Sequence, residues 1–121
     1  MGMDLVSDSG ETFDLSGSWW WFYRTLAEHY GWRPKGTEKP DHLDLSLAWQ
    51  GNYDSCDGQT VHEDDAISFG LALTKAMADP DLQEVVNQLF EKEDEVFKEA
   101  FDFEYTQALV NFCRLGRFQL E

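Results

Sequence analysis

Two short stretches at the N-terminus, Met3-Asp4-Leu5-Val6-Ser7 and Thr12-Phe13-Asp14-Leu15, alternate apolar with polar residues. A period of two puts alternate side chains on opposite faces of a strand. Asp8-Ser9-Gly10-Glu11 between them is turn chemistry, so the pattern predicts a β-hairpin. The period then changes. Trp19, Tyr23, Leu26 and Tyr30 recur at spacings of 4, 3 and 4, and Phe22 and Ala27 widen the stripe. This predicts a helix over 18–30, with Ser16 or Ser18 as N-cap, Gly31 as the stop and Pro34 barring continuation. Successive helical residues lie about 100° apart, so Trp19, Trp20 and Trp21 cannot all face one core. Trp20 falls furthest from the stripe and is the tryptophan expected to point outward.

From 31 to 58, Gly, Pro, Asp and Asn recur at short intervals, which predicts a long ordered loop. At most it holds a short helix near 43–47 and a strand-like piece near 48–53. Trp32, Trp49 and Tyr53 argue that it packs down onto the body of the protein. Asp57-Gly58-Gln59 reads as a turn. His62-Glu63-Asp64-Asp65 then places acids where a helix N-terminus favours them. Ala66, Phe69, Gly70, Leu73 and Met77 give that second helix its buried face, with Leu71 and Ala72 widening it. Gly70 in mid-helix points to close approach of another element. Asp79-Pro80 separates it from a third helix over 81–99, whose charged centre, 91–95, must be solvated. A fourth helix is expected over 104–114. Arg117 to Glu121 alternates again and reads as a closing strand beside the hairpin. The expectation is one α+β domain, 1–121, mostly helical, with a small antiparallel sheet made by the N-terminal hairpin and the C-terminal strand.

Charge narrows the partners. The 121 residues hold 24 Asp and Glu against 9 Lys and Arg, a formal net charge of −15. Phosphate backbones and anionic membranes repel such a surface, so neither nucleic acid nor membrane is expected. A basic protein partner is permitted, and acidity also serves solubility. Apolar runs fall far short of the roughly 20 residues that cross a bilayer. The N-terminus lacks the pattern of a signal peptide, and Val6 occupies the position that myristoylation prefers as Ser or Thr. A cytoplasmic location is the default. Cys56 and Cys113 are then thiols, Cys113 in a helical apolar pattern and Cys56 in a polar turn.

The Trp-rich first helix is followed by Gly31-Trp32-Arg33-Pro34-Lys35-Gly36-Thr37, by Trp49 with Gly51-Asn52-Tyr53, by Asp57-Gly58-Gln59-Thr60-Val61, by Asp65-Ala66 at the acidic helix start and by Phe112-Cys113-Arg114-Leu115-Gly116-Arg117-Phe118. In these motifs the chain resembles small acidic bacterial or phage proteins of no assigned function. The resemblance spans most of the chain and implies a bacterial or phage origin, and no activity.

No catalytic motif emerges. A calcium-loop alignment on Gly58 puts Tyr53 at the first ligand position and Asp64 at the last, losing one ligand and shortening the other. His29, His42 and His62 match no zinc spacing, with Cys56 six residues from His62. Asp54 and Asp57 flank Cys56 and oppose a thiolate, against a nucleophilic role with His62 as base. Acids are too many to nominate a glycosidase pair. The glycines are isolated, so no phosphate loop, and no cofactor or metal, is expected. Trp and Tyr are enriched in interface hot spots. The sequence therefore points to a non-enzymatic, acidic protein-interaction domain, immunity- or inhibitor-like, binding a basic protein. The expected partner-binding residues are Trp20, Tyr53, Glu63, Asp64, Asp65, Glu91, Glu93, Asp94 and Glu95. The alternative is a small-molecule or carbohydrate-binding domain or enzyme using the aromatic 32–53 loop.

Overall fold

The computed structural model describes residues 2–42, 48–91 and 101–121. The hairpin forms from β1 (Gly2–Ser7) and β2 (Thr12–Ser16), antiparallel, with Leu5 opposite Phe13. Helix α1 (Gly17–His29) follows at once, because the Ser16 hydroxyl accepts the Trp19 N–H at 3.1 Å and so caps it. It stops at Gly31, whose φ of 104° suits only glycine without strain. After the loop come β3 (Gln59–Val61), α2 (Glu63–Ala78), α3 (Leu82–Leu89), α4 (Phe103–Cys113) and β4 (Phe118–Leu120). The sheet is antiparallel, in the order β2-β1-β4-β3. The fold is α+β, with the N-terminal hairpin and the C-terminal strand side by side: Leu5 pairs with Leu120 and Ser7 with Phe118.

One face of the sheet, carrying Leu5, Leu15, Val61, Phe118 and Leu120, is buried with the helices. The other carries exposed Asp4, Asp14 and Gln119. Helix α1 contributes Trp20, Phe22, Tyr23, Leu26 and Ala27 to the core. Phe69 of α2 packs its ring against those of Trp20 and Trp32, 5.5 and 4.9 Å away between centroids. Helices α2 and α4 meet at Gly70, where an added Cβ would lie 3.4 Å from the Cys113 Cβ. The mid-helix glycine thus marks close approach, as its position in the sequence suggests. Cys113 is fully buried, Cys56 half-buried, and neither is in a disulfide. Among the described residues no helix is long and apolar enough to cross a membrane.

Several expectations change. Residues 48–53 form no strand, whereas Gln59, read as a turn residue, opens β3. Three residues are too few for alternation to register, and the buried polar Gln59 looks like loop. Its Nε2 donates to Ser55 O at 2.8 Å and its Oε1 accepts from Asp57 N at 2.9 Å, which satisfies it inside. Leu71 is exposed on α2 instead of widening its buried face. Helix α3 ends at Leu89, with Phe90 as a non-helical C-cap. The remainder of the expected third helix beyond 91, and the expected short helix at 43–47, lie outside the described residues.

Candidate functional site

Trp20 is not the outward-facing tryptophan. It is 1% exposed, and its indole N–H donates to Tyr53 O at 2.6 Å. Stripe arguments assume that one side of a helix is covered. Here the loop around Tyr53 covers the flank of α1 as well, and Trp20 lies beneath it. The Arg24 guanidinium sits 5.7 Å above the Trp20 ring, and its Nη2 pairs with Asp54 at 2.6 Å. Trp21, 37% exposed, takes the outward position, with its ring edge to Phe90.

Tyr53 and Asp65 are also buried, which removes both as surface contacts. The Asp65 Oδ2 accepts the Tyr53 O–H at 2.8 Å and the Lys35 backbone N–H at 2.9 Å. The Tyr53 oxygen in turn accepts the Gly36 N–H at 3.0 Å, and Trp32 Nε1 donates to Asp65 O. Asp65 therefore fastens the loop to the first turn of α2. Burial, then the hydrogen bond to the Asp65 carboxylate, pushes the Tyr53 hydroxyl well above its ordinary range. Trp49 also holds the loop, its indole donating to Thr37 O at 3.0 Å. Glu63, Asp64 and Glu91 are exposed as expected, although Lys35 Nζ, carried in by the loop, pairs with Asp64 at 3.0 Å. Glu93, Asp94 and Glu95 lie outside the described residues.

The sheet's outer face gathers acids that no sequence spacing relates. Asp4 lies opposite Asp14 on one side, and on the other exchanges both backbone hydrogen bonds with Glu121. Three carboxylates thus form a row across β2, β1 and the end of β4. The hydrogen bond and the like charge of Asp4 raise the Asp14 carboxyl above its ordinary value.

A cleft of about 340 Å³ lies between α1 and α4, lined by Trp19, Tyr23, Asp102 and Tyr105. Tyr23 shares a 2.8 Å hydrogen bond with Thr106 Oγ1, and the Tyr105 O–H donates to Asp14 O at 2.8 Å. Both rings are thereby fixed. Asp102 is the N-cap of α4, and its Oδ1 accepts the Glu104 and Tyr105 N–H groups at 2.8 and 3.4 Å. Burial raises the Tyr23 hydroxyl to about 12, with the charge of Asp102 adding to the shift. Burial and then the charge of Asp14 raise Tyr105. The spacing Asp102-x-x-Tyr105 is visible in the sequence as a cap and its first turn, but its facing Trp19 across 83 residues of chain, the separation of Tyr23 from Thr106, is not.

Among the described residues no group of three or more His, Cys, Asp or Glu is gathered so as to hold a metal. Comparison with models of known protein families, with curated proteins and with solved structures finds no match for this chain.

Proposed function

We propose that this is a non-enzymatic protein-interaction domain that binds a basic protein, in the manner of an immunity protein or inhibitor. The observation that carries the reading is the acidic row Asp14–Asp4–Glu121 on the open face of the sheet. Among the described residues the Lys and Arg ion pairs go elsewhere, to Asp54, Asp64 and Asp8. The fold leaves like charges side by side on that face. A cationic surface laid over it relieves the repulsion and gains attraction, which speeds association and selects partners. The alternative, a ligand site in the 32–53 loop, has less support: Trp32 and Tyr53 are buried, and Trp49 directs its N–H to Thr37.

The test is a binding panel of immobilised arginine- and lysine-rich peptides and folded basic proteins, beside neutral and acidic ones. Association rates with basic ligands should fall steeply as salt rises, since exposed charges are screened over about 8–10 Å at physiological ionic strength. Replacing Asp4 and Asp14 together with Asn should slow association. Equal binding to neutral ligands, or association indifferent to salt, refutes the reading.

A further inference from the structure

We propose that the outer rim of β2 receives an extended segment of the basic partner as a short antiparallel strand, with basic side chains on the acidic face and one apolar side chain in the cleft between β2 and α4. The inference rests on the acidic-interface reading above, and names how the partner engages that face.

The register leaves this rim open. Ser7 N–H donates to Glu11 O at 2.8 Å, and Asp4 exchanges both backbone bonds with Glu121. Bonded and non-bonded pairs alternate along an antiparallel ladder, so Thr12 and Asp14 turn their N–H and C=O groups away from β1. The Tyr105 hydroxyl takes the Asp14 carbonyl. The Thr12 N–H, the Thr12 C=O and the Asp14 N–H have no partner among the described residues, and both residues are exposed. A strand laid along β2 supplies partners for all three groups.

The same register assigns the incoming side chains. Residues paired with Thr12 and Asp14 project on the outer face, where they extend the row Asp14–Asp4–Glu121. Opposite charges gain from such cross-strand pairing and like charges lose, so these two residues are Lys or Arg. The residue between them lies opposite Phe13 and projects inward. There a cleft of about 430 Å³ separates β2 from the C-terminal half of α4, with Phe13, Ala108, Phe112 and Leu115 among its lining. Phe112 is buried beneath it, whereas Leu115 is 48% exposed and gains cover from an apolar side chain. Arg114 Nη1 reaches Asn111 Oδ1 on the helix wall at 3.4 Å, which disfavours a second cation inside.

Charge selects this occupant. A second copy of the chain brings its own Asp14 to the rim and doubles the like charge. A nucleic acid brings phosphates to the same acids. A basic–apolar–basic strand meets the open backbone groups, the acidic face and the cleft together.

The test titrates the full chain with Ac-Thr-Lys-Leu-Lys-Thr-NH2 and follows backbone amide NMR shifts. These should centre on Thr12, Phe13, Asp14, Ala108 and Leu115. Replacing both lysines of the peptide with glutamine should weaken binding about three- to tenfold. Replacing its leucine with alanine should weaken binding about fivefold. N-methylation of the second lysine, which pairs with Thr12, should weaken binding about two- to tenfold. N-methylation of the leucine, whose N–H points away from β2, should leave binding within about twofold. In the protein, Thr12→Pro removes a rim N–H that bonds nothing in β1, a place where an edge strand tolerates proline, and should weaken binding at least about fivefold. Leu115→Lys, at an exposed position that threatens the fold less, should weaken binding at least about threefold with the thermal midpoint nearly unchanged. Equal binding of the glutamine peptide, equal effects of the two N-methylations, or native affinity in Leu115→Lys overturns the inference. So do shifts at Thr12 and Asp14 on concentrating the chain alone, which assign the rim to a second copy. If the peptide misses the rim while basic proteins still bind with salt-dependent rates, this inference fails and the acidic-interface reading stands. If the basic proteins fail as well, both fall.

Discussion

Tyr53→Phe isolates the fastening of the long loop. The substitution keeps the ring against Trp32, 5.4 Å away between centroids, and deletes one oxygen. That oxygen donates to the buried Asp65 carboxylate and accepts from Gly36 N–H. A hydrogen bond to a charged group contributes about 1.5–3 kcal/mol, and a part-buried N–H left without an acceptor costs about 1 kcal/mol more. The loss should therefore be about 2.5–4 kcal/mol. With an m value of about 2 kcal/mol/M for a chain of this size, the urea midpoint should drop by about 1–2 M with m unchanged. Hydrogen exchange adds a local signature. The Gly36 amide should exchange faster, whereas Lys35 N–H keeps Asp65 Oδ2 and should stay protected short of global unfolding. A midpoint shift below about 0.3 M, or equal deprotection of Lys35 and Gly36, would refute the claim that Tyr53 and Asp65 anchor the loop.

Gly70→Ala should be neutral or stabilising by up to about 1 kcal/mol, because helix propensity favours alanine and the new Cβ meets the Cys113 Cβ at a tolerable 3.4 Å. Gly70→Leu should cost about 1–3 kcal/mol or more by prising α2 from α4, measured by chemical unfolding. All four tyrosines, Tyr23, Tyr30, Tyr53 and Tyr105, are raised above 10, Tyr23 and Tyr30 to about 12. Their folded values exceed the unfolded one, so their contribution is complete below pH 10 and lost as pH climbs through 10 toward 12. Ultraviolet titration of the native protein should accordingly show Tyr23, Tyr30 and Tyr53 still un-ionised near pH 10, and more than one tyrosine ionising there contradicts the packing. Asp14→Asn should raise the thermal midpoint at pH 7 by removing repulsion from Asp4, and the gain should vanish in acid, where the raised Asp14 carboxyl is already protonated. A gain that persists at low pH would have another origin.

Local signals in the sequence were strong where one residue fixes one geometry. Ser16 and Gly31 bound α1, and the alternation of Phe118 and Leu120 places β4 beside Leu5. Legibility ended where burial depends on distant chain. Trp20 is covered by a loop residue 33 positions away. Asp65 resembles its exposed neighbours Glu63 and Asp64, and only the arrival of Tyr53 and Lys35 makes it a buried hub. The cleft was illegible for the same reason. Nothing in Asp102-x-x-Tyr105 announces that Trp19 and Tyr23 will stand opposite, since helix-to-helix docking is decided by the whole core.

The Tyr105 hydroxyl reaches further than the cleft it helps to line. Asp4 directs its backbone groups to Glu121, so Asp14, opposite it, turns its own away from β1 toward the rim of the sheet. Tyr105 covers that carbonyl. At the far rim, Glu38 and Thr60 exchange backbone hydrogen bonds at 2.9 and 3.2 Å and close off β3. A small sheet with bare rims is a template on which further copies add strand by strand into fibrils. Here a side chain stands guard at one rim and a loop at the other, and the acids along the outer face repel any copy that approaches. Both rims therefore offer fewer open backbone groups on which a further strand could pair.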